Sequence, residues 1–421
     1  MFLPRKGRWL AWGLLLGFLV VTENRAAGGD ARREFPLKYR LTVNDAEEVG
    51  LGGQFLPLSD GKDPLAGKVS LREEPHYKSP KPLYATFRLG TGKDPYTLVL
   101  DSSAGQDHGY DLLYLDANRD GRITPGEQLS PTPGARANSF GPIKLQVENG
   151  PDRSPQWFLF QLSEYQISEG KTSVQLALVN AGYYQGLVTF GDRKLLLAVA
   201  DTDGNGLYND LLGTPSRGGD RLLIDRNGDG KLDGGYQSEE AQPLGRYVLV
   251  DDRYWQLDVA PDGSSVAVQP LDKPLGTLRA DVPDPTLILR SDEGALRVRV
   301  RDGTVRVPAG KYRLVTGNYR LSDRTGQQWF FTTYCRDNTG PLVEVPPEGE
   351  ARLPMGPPWI PRVEVVTAAG SDLTLGLTLR GAGGEVYNGV QKVNGEWPPV
   401  PRVRILGPDG GELAVLDFHY G

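Results

Sequence analysis

Residues 296–301 read Leu-Arg-Val-Arg-Val-Arg, followed by Asp302-Gly303 and then by Thr304-Val-Arg-Val307. Apolar and charged side chains alternate with a period of two, so an extended strand here has one apolar and one charged face. Asp-Gly between two such runs suits the type I′ turn, whose twist matches paired antiparallel strands. The pattern predicts a hairpin over 296–307. The same alternation recurs at 37–43, 83–89, 96–100, 143–147, 157–162, 174–179, 247–250 and 255–259, each run closed by turn residues. Gly and Pro are costly inside helices, so 54 Gly and 33 Pro in 421 residues argue against helix bundles and coiled coils. No strand-helix-strand rhythm appears, which excludes a parallel α/β sheet. The expected fold class is mainly β: antiparallel β-rich domains followed by small β-sandwich modules.

The first 27 residues stand apart. Arg5, Lys6 and Arg8 precede an apolar run over 9–21. At 13 residues it is short for a bilayer span and fits the core of a signal peptide, with cleavage near Ala26 or Ala27. The expected location is outside the cytoplasm: secreted, periplasmic or on the cell surface. No second long apolar run follows, so no transmembrane span is expected beyond the signal segment. A single Cys excludes a disulfide framework, and three His leave little for a histidine-based zinc site.

Without residues 1–27 the chain has 43 basic and 52 acidic side chains, a net charge of −9. Residues 101–127 contribute −4 and residues 201–240 contribute −5, so the rest is balanced. A nucleic-acid partner is excluded on these grounds.

The two acidic stretches hold three similar loops. The first runs Asp116-Ala-Asn118-Arg-Asp120-Gly121-Arg122-Ile123-Thr124-Pro-Gly-Glu127. Oxygen-bearing side chains fall at positions 1, 3, 5 and 9, Gly at 6, an apolar residue at 8 and Glu at 12. A hard cation such as Ca²⁺ takes about six to eight oxygens, and a tightly curled loop supplies them from alternate residues. Asp116, Asn118, Asp120 and Thr124 would offer side chains, Arg122 its carbonyl, and Glu127 both carboxylate oxygens. Thr124-Pro125-Gly126-Glu127 also has the form of a capping box with Pro at the first helical position, which predicts a short helical turn leaving the loop.

The other two loops are incomplete. Asp201-Thr-Asp203-Gly-Asn205-Gly206 begins in the same way and has Asp210 at position 10, but Leu212 where Glu belongs. Asp225-Arg-Asn227-Gly-Asp229-Gly230-Lys231-Leu232-Asp233 is regular through position 9, with Lys231 placed to offer its carbonyl, and then has Tyr236 at position 12. Asp210 or Asp220 could complete the first, and Glu239 or Glu240 the second. With Asp201 and Asp225 only 24 positions apart, the two loops are expected to share ligands or lie side by side.

These loops resemble the calcium loops of EF-hand and dockerin proteins over about 12 residues each. The flanks differ: short apolar runs at 110–115, 194–200 and 221–224 read as buried strands rather than as the helices of an EF-hand. Further along, Val307-Pro-Ala-Gly-Lys-Tyr312-Arg-Leu314 is similar to the V-P-x-G-x-Y stretch of carboxypeptidase-regulatory-like, prealbumin-type sandwiches. That resemblance implies a non-catalytic accessory module.

The expected organisation is a signal peptide (1–27), a β-rich domain with loop 1 (28–150), a second with loops 2 and 3 (151–278), a sandwich module (279–345), a Pro-rich linker (346–361) and a C-terminal β unit (362–421). The last two modules could complete one sandwich between them. Three other features are weighed and set aside. Asp101-Ser102-Ser103-Ala104 resembles an aspartic-protease loop but occurs once, and that mechanism needs two carboxylates. Arg297, Arg299 and Arg301 line one strand face, either as an anionic-glycan or partner stripe or as a plain solvated face. Trp157, Trp255, Trp329, Trp359 and Trp397 are scattered, as core residues are. The expected function is an exported calcium-binding structural or accessory protein with no catalytic constellation. A calcium-dependent adhesion or carbohydrate-binding module, with a cell-surface protein or glycan as partner, is the second reading, and a hydrolase the third.

Overall fold

The computed structural model describes residues 31–42, 49, 51–61, 71–132, 138–168, 171–213, 218–235, 238–335, 339–369 and 372–419. The expected signal peptide and Tyr236 lie outside them. The fold is mainly β, built of antiparallel sheets, as the alternation predicts. No helix among the described residues is long and apolar enough to cross a membrane.

Six of the sheets pair into three layered units. In the first, Leu83–Phe87, Tyr96–Asp101, Leu112–Asp116 and Gln128–Leu129 pair in that order. This sheet packs on a second one formed by Gly53–Leu56, Lys171–Asn180, Asp152–Ser168 and Asn138–Asn149. Leu98, Leu100, Leu113 and Leu115 meet Phe140, Phe158 and Phe160 between them. Tyr96–Asp101 is buried on both faces, because Val99 and Tyr114 pack outward against Ile123 of loop 1.

The second unit is assembled from distant segments. Arg33–Pro36 joins the sheet of Ser265–Pro270, Arg253–Val259 and Tyr247–Val250. Lys38–Leu41 joins the edge of Gly182–Phe190, which continues through Arg193–Ala200 and Arg221–Ile224 to Ala241–Pro243. Val188, Leu197, Val199, Leu222 and Ile224 bury against Val248, Trp255, Leu257 and Val266.

The third unit packs Thr304–Pro308, Leu275–Ala280 and Glu350–Leu353 on an eight-stranded sheet that runs from Gly294–Arg299 to Ile360–Ala369. Leu278, Val307, Leu353 and Met355 share one core with Leu287, Leu289, Leu296, Val298 and Tyr312. Tyr312 donates its buried hydroxyl to the Pro308 carbonyl at 2.6 Å, which fixes the corner that the V-P-x-G-x-Y stretch makes. The hairpin Arg402–Leu406 with Glu412–Asp417 ends the chain's described part.

Two expectations need correction. At 302–303 the turn forms as predicted: Asp302 (φ 51°) and Gly303 (φ 79°) are left-handed, and Arg301 and Thr304 exchange N–H···O bonds of 3.1 Å. The flanking strands then part, Gly294–Arg299 pairing with Thr286–Ser291 and Thr304–Pro308 with Leu275–Ala280. The turn therefore carries the chain from one sheet of the unit to the other. The expected divisions also fall in the wrong places. Gly150-Pro151 is the turn of a hairpin in which Asn149 faces Asp152, 278/279 lies inside Leu275–Ala280, and 346–361 contains the strand Glu350–Leu353. Gly and Pro mark hairpin turns as readily as linkers. Val386–Lys392 of the C-terminal unit pairs with Gln328–Tyr334, so the last two modules share one sheet, while Arg402–Leu406 and Glu412–Asp417 form a sheet of their own.

Candidate metal centre

Each acidic loop leaves the end of a buried strand, and each is closed by an acid that stands immediately before the antiparallel return strand. Loop 1 follows Leu112–Asp116 and returns into Gln128–Leu129. Loop 2 follows Arg193–Ala200 and returns into Arg221–Ile224, with Ala200 opposite Arg221. Loop 3 follows Arg221–Ile224 and returns into Ala241–Pro243, with Leu223 opposite Ala241. All three sixth-position glycines, Gly121, Gly206 and Gly230, are left-handed at φ 76° to 84°, a region that side chains disfavour.

In loop 1 the Asp116 carboxylate is buried and accepts the N–H groups of Asp120 (3.1 Å) and Gly121 (2.9 Å). Asn118 Oδ1 accepts from Asp120 N at 2.9 Å, and Asp120 Oδ1 from Arg122 N at 2.9 Å. Glu127, on the single 3-10 turn Pro125–Glu127, reaches back to Ala117 N with Oε1 (3.2 Å) and to Thr124 N with Oε2 (2.9 Å). Carboxylates from positions 1, 5 and 12 are thereby held around one turn. Arg122 directs its guanidinium away, to Glu73 at 3.5 Å. Burial pushes the Asp116 carboxyl above its usual range, and the nearby Glu127 and Asp120 charges add to that rise.

Loop 2 repeats the pattern with a different closing acid. Asp201 accepts from Asp203 N (3.1 Å) and Gly204 N (2.7 Å) with Oδ1, and from Gly206 N (2.7 Å) with Oδ2. Asp203 Oδ1 accepts from Asn205 N at 3.2 Å, and Asn205 Oδ1 from Leu207 N at 2.6 Å. Asp220 plays the part of Glu127, accepting from Thr202 N (3.4 Å) and Asp210 N (2.7 Å). Asp210 is turned elsewhere, its Oδ2 taking the Asn205 amide at 2.6 Å. Carboxylate oxygens of Asp201, Asp203 and Asp220 lie within 4.8 Å of one another, and Asp201 and Asp220 are fully buried. Burial, reinforced by Asp203, pushes the Asp201 carboxyl up to about 7. Burial and the Asp201 charge likewise raise Asp220 well above its ordinary value, and burial and Asp210 raise Asp203. Three such groups cannot all stay ionised in so small a volume without a cation, and in its absence they hold protons.

Loop 2 is also wrapped by the first unit. Gln54 Nε2 donates to the Gly204 carbonyl (3.0 Å), Gln156 Nε2 to that of Gly206 (2.7 Å) and Gly90 N to that of Asn205 (2.6 Å). Buried Asn180 places Nδ2 at 3.4 Å from Asp201 Oδ2 and 2.9 Å from the Tyr208 hydroxyl. The eighth-position residue anchors each loop: Ile123 and Tyr208 are buried, and Leu232 packs beside Ala198 and Leu223.

In loop 3, Asp225 accepts from Gly228 N (2.7 Å), Asp229 N (3.2 Å) and Gly230 N (2.9 Å). Asn227 Oδ1 takes Asp229 N, and Asp229 Oδ1 takes Lys231 N, both at 2.8 Å. The closing acid is Glu240, whose Oε2 accepts from Asp233 N at 3.0 Å, the same ninth-position contact that Glu127 makes. Its Oε1 is buried and has no hydrogen-bond partner among the described residues. Glu239 instead pairs with Arg299 at 3.0 Å. Asp233 uses its own carboxylate on Gly235 N at 2.8 Å.

Loops 2 and 3 lie at opposite ends of Arg221–Ile224, roughly 15 Å apart at the usual rise of a strand, so they share no ligand. The expectation that they sit side by side came from counting residues, and the intervening strand removes it. Asp220 and Glu240, two of the alternatives allowed, are the acids that hydrogen-bond back to the N–H groups of their loops. The signal that selects them is their place directly before the next apolar run. Elsewhere, Asp101 spends its carboxylate on the N–H groups of Lys78, Ser79 and Ser102, which marks it as a structural anchor. No ring contact joins two of the five Trp among the described residues.

Among the described residues, the acids that come together closely enough to hold a cation are Asp201, Asp203 and Asp220 of loop 2, an oxygen-only donor set that suits hard divalent ions rather than softer metals. No protein-family model, curated protein or solved structure matches this chain.

Proposed function

We propose that this chain is an exported calcium-binding scaffold in which Ca²⁺ braces three acidic hairpin loops and, through them, the joints between its β units. The observation that carries the reading is the repeated closure. Three strand-loop-strand units of different length each return an acid to backbone N–H groups of the loop, at the second position in loops 1 and 2 and at the ninth in loops 1 and 3, and one buried carboxylate oxygen of Glu240 has no partner among the described residues. Calcium is favoured over magnesium because a loop offering many protein oxygens suits the larger ion, whereas magnesium keeps more of its water. The apolar run at 9–21 supports export, and millimolar calcium outside the cell suits loops of the weak extracellular class.

At about 1 mM calcium and a dissociation constant of about 0.1 mM, each site would stabilise the fold by about 1.4 kcal/mol. The test is calcium titration by calorimetry on wild type and on Asp220→Asn, Glu240→Gln and Glu127→Gln. Three sites in the wild type and one fewer in each variant are expected. Equal heats in all four proteins would refute the reading.

A further inference from the structure

Twelve of the nineteen large apolar side chains exposed among the described residues lie between Ile360 and Leu416, so the C-terminal part of the chain carries most of the unpartnered apolar surface. It includes the hairpin of Ile360–Ala369 and Asp372–Arg380, in which Ile360–Ala369 is the free edge of the eight-stranded sheet. An edge strand ordinarily buries one face against its own core. Here every residue from Ile360 to Thr367 is exposed, so both faces and the edge are open. The cross-strand register places Pro361, Val363 and Val365 on one face, beside Leu379, Leu377 and Leu375. Leu379 packs at the rim of the third unit's core, whereas Val363 and Val365 are 47% and 59% exposed.

The opposite face of the strand carries Arg362 and Glu364. Across the hairpin they stand against Thr378 and Gly376, and neither makes an ion pair or a side-chain hydrogen bond among the described residues. Exposed edges are usually closed to other strands by Pro, by bulges and by charges. Pro361 and the register shift between Val365 and Thr367 stand at the two ends of this segment, and the two charges between them have opposite signs. An antiparallel copy centred on Val363 sets each Arg362 opposite Glu364 of the other copy, Val363 opposite itself, and Pro361 opposite Val365. Opposite charges then meet on one face and apolar side chains on the other. A parallel copy in register would oppose Arg to Arg and Glu to Glu.

We propose that a second copy of this chain docks here, Ile360–Ala369 pairing antiparallel with its counterpart about a two-fold axis at Val363. Two Arg-Glu pairs fix the register, and the apolar face of one hairpin runs on into that of the other. The inference goes beyond the calcium reading and does not depend on metal in the loops. Sedimentation velocity of the mature protein is the test, at about 100 µM, where a dimer of micromolar affinity is well populated. The wild type should be a dimer. Val363→Lys, which brings two like charges to the axis, and Arg362→Glu, which opposes acid to acid, should each weaken the dimer at least about tenfold. Arg362→Glu combined with Glu364→Arg should restore it to within about threefold of wild type. That restoration also separates a lost charge pair from misfolding, because the double variant contains the same change at Arg362. A monomeric wild type, a dimer indifferent to the single variants, or a charge swap as weak as Arg362→Glu alone would overturn the proposal.

Discussion

Loop 1 and loop 2 place an Asp at the head of the same turn and close it with an acid on the return strand, yet their surroundings are opposite. Loop 1 has every motif position filled within 12 residues, and its Asn118, Asp120, Thr124 and Glu127 lie near the surface. Loop 2 lacks the twelfth-position acid and is the one buried between two β units, with Asp201 and Asp220 fully enclosed and the first unit bonded to its carbonyls. Motif quality and structural weight thus run in opposite directions. A loop on the surface must carry all its ligands locally, whereas a buried loop can draw one from wherever the sheet register delivers it.

The largest effect expected from this contrast is on stability in calcium. Asp220→Ala should cost about 3 kcal/mol by urea unfolding, because it leaves buried Asp201 and half-buried Asp203 around an incomplete site. Glu127→Gln should cost only about 1.4 kcal/mol, the stabilisation supplied by one weak site. The reverse order would break the comparison.

A second effect is in pH dependence. The raised carboxyls of loop 2 bind protons more tightly in the folded state than in the unfolded one, where Asp titrates near about 3.9. The stability they contribute is complete below that value and is lost as pH rises towards about 7, the value reached by Asp201. In chelator the melting temperature should therefore fall between pH 4 and pH 7, and saturating calcium should remove most of the fall. A chelated protein that grows more stable over that range would contradict the electrostatics assigned to loop 2.

Loop 3 sharpens the contrast further. Glu240→Gln should remove one calorimetric site and about 1.4 kcal/mol, while Glu239→Gln keeps the stoichiometry and changes stability by less than about 1 kcal/mol, as an exposed ion pair should. Smallest of all, Tyr312→Phe should cost about 1 kcal/mol for its lost hydroxyl bond, equally in calcium and in chelator. A calcium-dependent cost would mean that the third unit is braced by the loops as well.

Strands were legible wherever one face is buried and the other is not, as at Leu83–Phe87, because burial imposes the period of two. Pairing was less legible. Nothing local to Asp302-Gly303 records that Leu275–Ala280 competes for Thr304–Pro308, and long-range packing wins. The second unit could not be delimited along the chain, since Arg33–Pro36 and Lys38–Leu41 reach it from far upstream. The turn from Asp116 to Glu127 followed from the motif because the hydrogen bonds of its acids are local. Asp220 and Glu240 could only be offered beside alternatives, since strand register and not residue count decides which acid returns to the loop.

The most direct test of the account is the melting temperature of the mature protein in 1 mM calcium against excess chelator, followed by calorimetric calcium titration. Three occupied sites and a rise of about 5 °C in calcium are predicted. An identical melting temperature in both conditions, with no heat of calcium binding, would contradict it.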